Sequence, residues 1–407
     1  MHGHEAAPPA AKREGRRPRF EVADIFRDHG EVYRRSHALT AEQRKAMRDI
    51  VTCRTPVLGG HLDVCPDCGF NRPAYNSCRN RHCPKCQALK QAAWIEARRR
   101  RTLPTHYFHV VFTVPHEINA LALRNPVRFY DVLFAAVSET LLELGEDPAR
   151  LGALLGATAV LHTWTRSLAY HPHIHCIVTG GGLAPDAATW ISARRRFLFP
   201  VRVMAALFRG KVLAALAQAR AQGLLTFAGS CVHLADDAAF AQWKDRLYTK
   251  RWVVYAKTPF AGPKQVFNYL GRYTHRVGIS NHRLLSVDDR TVRFATRGPA
   301  TCSLHPVDFI ARFLLHVLPS NFVKIRHYGL LAPSNVNTKL QTASHLLTPR
   351  HADVDVNFPG HHPDQTPPTW RDFFYHLTGI DLARCPRCAA LLVPLPLSLG
   401  PPPRPPP

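Results

Sequence analysis

The segment 171–182 has the sequence HPHIHCIVTGGG and is the part of the chain that decides the fold. Because successive side chains of a strand alternate between its two faces, His173 and His175 project together while Ile174 projects toward the core. The three glycines that follow let the chain turn or let a ligand approach closely. The pattern predicts a strand that presents two imidazoles from one rigid face, which makes a platform for a divalent metal with open coordination positions.

A third ligand is needed to fix such an ion, and three histidines are candidates. His162 precedes His173 by eleven residues, on a predicted strand with the sequence GATAVLHTW (156–164), and an antiparallel pairing would bring the two side by side. His171 has the same parity as His173, but Pro172 distorts the strand between them. His109, on a third predicted strand, is the last candidate. We prefer His162.

Other patterned segments surround this strand. Residues 105–115 (THYFHVVFTVP) are β-branched and aromatic and predict a strand, and residues 125–145, 200–223 and 305–319 predict helices. A hairpin is expected around Asp288 and Asp289. Because strands and helices alternate irregularly between residues 105 and 345, we expect an α+β domain with a mostly antiparallel sheet rather than a doubly wound one.

The same pass along the chain predicts five parts. They are a disordered basic N-terminus (1–20), a helical and zinc-binding DNA-binding module (21–101), a nuclease domain (102–285), the C-terminal part of that domain (286–345) and a Pro-rich tail with a lone CxxC (346–407).

A second chemical motif lies in residues 263–276, PKQVFNYLGRYTHR, which predict a helix with a proline in its first turn. Tyr269 and Tyr273 are four residues apart and share one helix face. A phenol can attack a DNA phosphodiester to give a phosphotyrosine, which a hydroxyl can later reverse. The ordinary alternative is an aromatic stripe in a core. The nearby cations favour a site: Lys264, Arg272, His275 and Arg276.

The cysteines predict structural metal. Two CxxC pairs, Cys65 with Cys68 and Cys83 with Cys86, are spaced to close one tetrahedral zinc site with no open position. Four further residues of the same stretch would make an interleaved Cys2His2 site: Cys53, His61, Cys78 and His82. The alternative is that His82 and Cys78 only flank the first site or contact DNA, and both readings stay open. Cys385 and Cys388 form a lone CxxC, which is a degenerate knuckle, a pair borrowed by another site, or a pair without a role.

The charge of the chain indicates its partner. Lys and Arg number 53 against 29 Asp and Glu, for a formal net charge of +24. Nucleic acid is the expected partner and an anionic membrane surface is the alternative. No apolar run is long enough for a membrane span and no secretory signal is visible, so we expect no membrane partner. Eleven cysteines then favour a reducing bacterial cytoplasm over disulfides.

Together these motifs resemble the two-tyrosine HUH transposases of the insertion-sequence-ninety-one type. HIH matches the histidine–hydrophobe–histidine motif of HUH nucleases, YLGRY matches the paired-tyrosine motif, and FTVP is similar to a sheet motif of rolling-circle initiators. The resemblance runs from about residue 53 to residue 345 through these further stretches: CRTPVLGGH, CPDCGF, YNSCRNRHCPKCQ, VGISNHRL and FLLHVLPSNFVKIRHYGLLA.

The resemblance implies an HUH endonuclease-type sheet with flanking helices and a small zinc-ribbon-like N-terminal module. It implies Tyr269 and Tyr273 as nucleophiles, and His173 and His175 as ligands of Mg²⁺ or Mn²⁺. The position of His162 is also similar to that in the three-histidine site of conjugative relaxases. The implied substrate is single-stranded or hairpin DNA at the ends of a mobile element.

We therefore expect a DNA transposase that cleaves and rejoins single strands through 5′-phosphotyrosine intermediates in rolling-circle transposition. One alternative is an HUH replication initiator or relaxase with the same chemistry. Another is a non-catalytic zinc-dependent DNA-binding remnant, although the histidines and tyrosines are all present. A metal nuclease that uses water would leave no protein–DNA adduct.

Overall fold

The structure, a computed structural model, describes residues 18–99, 101–260, 278–348 and 369–397. Its centre is a six-stranded antiparallel sheet in the order β11-β4-β5-β3-β7, with β6 paired to the far end of β5. The strands are β3 (Tyr107–Thr113), β4 (Leu154–Trp164), β5 (Tyr170–Leu183), β6 (Trp190–Ser192), β7 (Val254–Phe260) and β11 (Ile325–Gly329). The predicted α+β class with an antiparallel sheet is confirmed.

The two faces of this sheet differ in chemistry because the sequence alternates along its central strands. On β5, Ile174, Cys176 and Val178 enter the apolar core, and their neighbours Phe112 on β3 and Leu161 on β4 do the same. The intervening residues face the other way. We call this other side the polar face; it carries His109, His162, His173, His175, Thr158 and His327.

Helices cover the apolar face. Two of them are long: α5 (Pro126–Glu146) packs on β4 and β5, and α6 (Val201–Ala221) packs on β7 and on α5. The core between them and the sheet is aromatic, with Phe112 against Phe208 at a centroid separation of 5.1 Å. Two smaller helices complete this layer: α4 (Asn119–Arg124) and α7 (Asp237–Thr249).

A second core joins the N-terminal helices to a segment nearly three hundred residues later. Its N-terminal helices are α1 (Val22–Ser36) and α2 (Ala41–Thr52), and its later part is the antiparallel sheet β8 (Leu284–Val287), β9 (Val292–Ala295) and β10 (Thr301–Leu304) with helix α8 (Pro306–Leu314). Phe26 of α1 meets Phe313 of α8 edge-on at 5.2 Å. The predicted hairpin around Asp288 is therefore present, and it packs with the N-terminal module in a shared core.

A third sheet links the two ends of the chain. It has the order β12-β1-β2, with β1 (Gly60–Val64), β2 (Asn71–Tyr75) and β12 (Val393–Pro396). Part of the segment expected to be only a Pro-rich tail thus forms a helix, α10 (Trp370–Thr378), and a paired strand. This strand was not predictable from local pattern, because β12 is rich in proline and its partner strand lies more than three hundred residues away.

Two further helices are α3 (Ala88–Arg99) and α9 (Lys339–Leu347). The predicted tyrosine helix (263–276) falls outside the described residues, as do most of the basic N-terminus predicted to be disordered and the last ten residues. Among the helices that the structure describes, none is long and apolar enough to cross a membrane.

Candidate functional site

Three histidines meet on the polar face of the six-stranded sheet. His162 on β4 and His173 on β5 are direct cross-strand partners, and His175 follows two residues later on the same face. One ring nitrogen from each of the three lies within 4.8 Å of those of the others. Of the three candidates for a third ligand, the structure places His162 in the cluster with His173 and His175.

The other two candidates, His171 and His109, form hydrogen bonds that orient the rings of His173 and His175. His173 Nδ1 donates to the carbonyl oxygen of His171 at 2.7 Å, so its Nε2 carries the lone pair. His175 Nδ1 is hydrogen-bonded to Nε2 of His109 at 2.9 Å, and the two rings stack. Hydrogen bonds of this kind fix the tautomer and the orientation of metal-binding imidazoles. The geometry therefore leaves Nε2 of His173 and of His175 as the atoms for coordination.

The residues fit a divalent cation. His162 is only 3% exposed, and burial lowers the pKa of His173 to about 4, which keeps that ring neutral at neutral pH. Neutral imidazole is the form that binds metal. Three nitrogen ligands leave further coordination positions for other ligands, as a catalytic site requires.

A cationic cleft adjoins the histidine cluster. Trp164 stacks on His162 at a centroid distance of 4.7 Å and forms one wall of the cleft. The other described lining residues include two cations and no acid: Arg81, His82, Gly278, Phe313, His316, Leu318 and Lys324. Burial, together with the charge of Arg81, lowers the pKa of Lys324 to about 8. This pair of cations makes the side of the sheet next to the histidine cluster positively charged.

The arginine-rich helix α3 reaches the same side of the sheet. His327 on β11 is hydrogen-bonded through Nδ1 to Oγ1 of Thr158 at 2.9 Å. Burial, together with the positive charges of Arg98 and Arg101, lowers the pKa of His327 to about 4. Helix α3 therefore lies close to the polar face, beside the β11–β4 edge.

The two tyrosines lie outside the described residues, but the chain on either side of them is placed. β7 ends at Phe260, which is paired with Tyr107 on the edge of the sheet next to β3. The described chain resumes at Gly278, which lines the cleft together with His316. Residues 261–277 therefore connect the β7 edge to the cleft beside the histidine cluster.

The cysteines form two clusters of four, and the grouping differs from the one predicted. Ligand atoms lie within 4.8 Å of one another in the first cluster, Cys53, Cys78, Cys83 and Cys86, and in the second cluster, Cys65, Cys68, Cys385 and Cys388. The expectation that Cys65 and Cys68 share an ion with Cys83 and Cys86 was wrong, because the structure places these two pairs in different clusters.

The β1–β2 hairpin explains the difference. Cys65 and Cys68 lie at its tip, next to the Val64–Asn71 pair, whereas Cys53 and Cys78 flank its base, where Gly60 pairs with Tyr75. Five-residue strands separate the two ends by roughly 13 Å. No single ion spans that distance, so each end of the hairpin requires its own partners.

The two histidines expected in a second metal site lie elsewhere. His61 Nε2 is 3.2 Å from a carboxylate oxygen of Asp63. His82 is half-buried and lines the cationic cleft, and its Nε2 accepts a hydrogen bond from the backbone amide of Leu318 at 3.2 Å. Cys53 and Cys78, which were predicted to share a metal site with these histidines, instead form the first cluster with Cys83 and Cys86.

Two features were not assigned from the sequence, and only the first had a signal. The Cys385 pair lies in CPRCAA, which repeats the pattern of CPDCGF at Cys65. Lys324 lies in FVKIRHYG, a stretch that resembles the family but was assigned no role. A lysine at the start of an apolar strand gives no indication by itself of which cleft it will enter.

Two family models match the chain, and together they include the histidine cluster and the first cysteine cluster. A family model described as "Putative transposase" matches residues 156–339, which include all three clustered histidines. A second, described as "Transposase zinc-binding domain", matches residues 25–114, which include the first cysteine cluster. The fold and the two matches define the chain as a DNA transposase, an enzyme that cleaves and transfers DNA strands, with an N-terminal zinc-binding domain.

Two relatives place it further. The chain is 46% identical to the putative transposase y4qJ of Sinorhizobium fredii over 90% of its own length and 92% of the relative's. It is 27% identical to the transposase for insertion sequence element IS801 of Pseudomonas savastanoi pv. phaseolicola over 70% and 68% of the two chains. The chain belongs to the IS91-type transposases. No solved structure matches it.

Proposed function

We propose that this transposase cleaves and rejoins single-stranded DNA through 5′-phosphotyrosine intermediates in rolling-circle transposition, with single-stranded or hairpin ends of its element as substrates. The observation that carries the proposal is the cluster of His162, His173 and His175 on the polar face. It is supported by the connection of residues 261–277, which contain Tyr269 and Tyr273, to the two sides of that face.

The proposed reaction has two steps, cleavage of the strand and its rejoining. The phenolic oxygen of Tyr269 or Tyr273 attacks the scissile phosphorus, the bond to the 3′ oxygen breaks, and the departing oxygen takes up a proton as the phenol loses one. The products are a 5′-phosphotyrosine and a free 3′-hydroxyl. A 3′-hydroxyl then attacks the ester and restores the tyrosine, so the strand is rejoined without external energy. Two tyrosines allow two linked cleavages in one site.

The histidines orient the reacting phosphate. When bound, Mg²⁺ or Mn²⁺ would offset the negative charge that builds on the phosphate oxygens in the transition state. His162, His173 and His175 would hold it, and His109 and the His171 carbonyl oxygen fix the orientation of the last two rings. Because these five groups lie on adjoining strands of one sheet, the site is rigid before substrate arrives.

The cationic cleft supplies a second contact to the strand. Lys324 and Arg81 lie next to Trp164, whose ring stacks on His162, so a phosphate next to the scissile one would reach them. Arg81 is held in place by donating to the Phe322 carbonyl oxygen at 2.6 Å. We expect Lys324→Met to weaken DNA binding and to reduce the salt slope by about one. Lys339→Met, which removes an exposed lysine, is the matched control.

The zinc-binding domain holds its ion in the first cluster in this proposal. Cys53 and Cys83 are fully buried, and the Cys78 amide donates to Cys53 Sγ at 3.5 Å. Four thiolates leave no open position, so the role of this ion is structural. The rigid loop between Cys78 and Cys83 carries Arg81 into the cleft, which connects zinc binding to the DNA-binding surface.

The test is formation of a covalent adduct. The protein is incubated with Mn²⁺ and single-stranded oligonucleotides from the element's ends and is then resolved on denaturing gels. We expect a protein–DNA adduct that is reduced by Tyr269→Phe or Tyr273→Phe and abolished in the double variant. Tyr248→Phe, which alters an exposed tyrosine on α7, is the control and should leave the adduct unchanged.

The histidine arm separates cleavage from binding. His173→Ala with His175→Ala should abolish the adduct and leave DNA binding largely intact, since basic side chains supply most of the affinity. His116→Ala, which alters a histidine whose side chain is 84% exposed, is the control. Equal loss of binding and cleavage would show a structural role for the pair, and cleavage without an adduct would indicate a nuclease that uses water.

A further inference from the structure

We propose that Cys65, Cys68, Cys385 and Cys388 bind a second structural zinc ion, which clasps the C-terminal segment 369–397 onto the N-terminal zinc-binding domain. The matched zinc-binding domain ends at residue 114, so half of this ligand set lies far outside it. The inference concerns the architecture of the chain and holds whether or not the tyrosines carry out the cleavage.

The sulfur positions fit a tetrathiolate site. Cys65 Sγ is 3.4 Å from Cys388 Sγ, and Cys68 Sγ is 3.5 Å from Cys385 Sγ. Thiolates on one zinc at a Zn–S distance of ~2.3 Å are roughly 3.8 Å apart. None of these cysteines forms a disulfide, whose sulfur atoms would be ~2.05 Å apart. All four sulfurs lie within 4.8 Å of one another.

The two halves of the site are built alike. In the first, the Cys65 amide donates to the Phe70 carbonyl at 2.8 Å and the Gly69 amide donates to the Cys65 carbonyl at 3.1 Å. In the second, the Cys385 amide donates to the Ala390 carbonyl at 2.8 Å and the Ala389 amide donates to the Cys385 carbonyl at 2.9 Å.

Both turns also place the residue after the second cysteine at positive φ, +66° at Gly69 and +63° at Ala389. Such a φ is strained for alanine, because its Cβ crowds the backbone there. Two turns of the same form, facing each other across one cluster of sulfurs, make the pair of knuckles that closes a zinc site.

Contacts around the cysteines keep the two knuckles in register. β12 pairs antiparallel with β1, with Val393 opposite Val64. Arg72 Nη2 donates to Oδ2 of Asp63 at 2.7 Å and to the Leu382 carbonyl oxygen at 3.1 Å, so one guanidinium ties the hairpin to the C-terminal knuckle. The guanidinium of Arg387 lies over the ring of Phe70 at 5.3 Å.

Apolar burial does not hold the segment in place. Of the described residues 369–397, only Cys385 is buried, and α10 buries no residue. Hydrophobic side chains on it are largely exposed: Trp370, Tyr375, Leu377, Ile380, Leu391, Val393 and Leu395. A segment that closes a loop of more than three hundred residues with so little burial requires another source of stability, and metal–thiolate bonds supply it.

The number of zinc ions bound per full-length chain tests whether the second cysteine cluster binds zinc. We expect two zinc ions per chain in the wild-type protein, measured by elemental analysis after removal of loosely bound metal. Cys385→Ser with Cys388→Ser should leave one, and Cys65→Ser with Cys68→Ser should also leave one. Cys302→Ser, which alters a cysteine outside both clusters, should retain two. Two ions in either double variant, or one in the wild type, would overturn the proposal.

A spectroscopic arm keeps the test decisive if the serine variants fold poorly. With Co²⁺ in place of zinc, the wild-type protein should show thiolate charge-transfer bands of eight cysteine ligands per chain. Cys388→His keeps a ligand but removes one thiolate, so it should retain two ions and lose about one eighth of this intensity. Hydrogen exchange of 385–396 should be slow in wild type and fast in both serine variants. Unchanged cobalt spectra and exchange would contradict the clasp.

Discussion

The six-stranded sheet and the three-stranded sheet β12-β1-β2 are both antiparallel, but different forces stabilise them. The large sheet places one face against a continuous apolar core that includes Phe112, Phe129 and Phe208. In the small sheet, Asp63 is the one described strand residue that is buried, and cysteine clusters lie at both ends of its hairpin. Hydrophobic burial therefore makes the sheet that carries the histidine site rigid, whereas metal ligation organises the zinc-binding domain.

Zinc removal should have the largest effect and should unfold the small sheet while the large sheet stays folded. Apparent binding free energies of structural zinc are about 10–16 kcal/mol, more than a small domain can replace by packing. We expect chelation to abolish hydrogen-exchange protection in residues 53–86 while residues 107–113 and 154–183 remain protected. The His173→Ala, His175→Ala variant is the control, because it removes the histidine site and leaves both cysteine clusters in place. Protection that persists in 53–86 would show that packing alone folds the module.

A core substitution should have the next largest effect and should act on the other sheet. Phe112 is fully buried between β3 and α6, so Phe112→Ala should lower the free energy of unfolding by about 3–5 kcal/mol. Val111→Ala, on the opposite face of the same strand, should cost only about 1 kcal/mol. Denaturant titration followed by tryptophan fluorescence measures both. Similar losses would mean that the polar face is packed as tightly as the apolar one.

Lys324 in the cleft should make the free energy of unfolding depend on pH. Its pKa is lowered to about 8 from an ordinary value near 10.5, so between these values the unfolded chain binds more protons than the folded one. Stability contributed by this group therefore rises from pH 8 to pH 10.5, by at most roughly 3 kcal/mol. Arg81 is the cation that faces it, and His82 and His316 are neutral there because burial lowers the pKa of each.

Unfolding midpoints at pH 7.5 and pH 10 test that expectation. Wild type should gain stability relative to Lys324→Met as the pH rises, because the variant has no proton to lose at this position. Lys339→Met controls for the general removal of a lysine. A parallel pH profile for wild type and Lys324→Met would show that Lys324 reaches solvent in the folded protein.

The smallest effect is expected at the start of α2. Thr40 Oγ1 accepts from the Gln43 amide at 3.2 Å, and the Gln43 side chain accepts in return from the Thr40 amide at 3.0 Å. Thr40→Ala should therefore destabilise the N-terminal module by about 1 kcal/mol, whereas Thr40→Ser should be close to neutral. Urea titration of both variants measures the difference. A loss above about 3 kcal/mol would indicate that the cap also supports the first cysteine cluster.

Local patterns predicted much of the fold and part of the site. Alternation in 171–182 correctly placed His173 and His175 on one face, and the patterns of residues 105–115 and 125–145 correctly predicted β3 and α5. The grouping of the cysteines was not predictable in the same way, because three CxxC pairs with one spacing carry no information about which pairs meet. Cys68 and Cys385 are 317 residues apart, and only the pairing of β1 with β12 brings them together.

The most direct test of the central claim is the identity of the residue that bears DNA after cleavage. Trypsin cuts after Lys264, Arg272 and Arg276, so Tyr269 and Tyr273 fall in separate peptides, QVFNYLGR and YTHR. Mass spectrometry of the nuclease-trimmed, trypsin-digested adduct should find a 5′-nucleotide on one or both of these peptides, and none when His173 and His175 are alanine. A nucleotide on any other peptide, or DNA cleavage with neither peptide modified, would contradict the account.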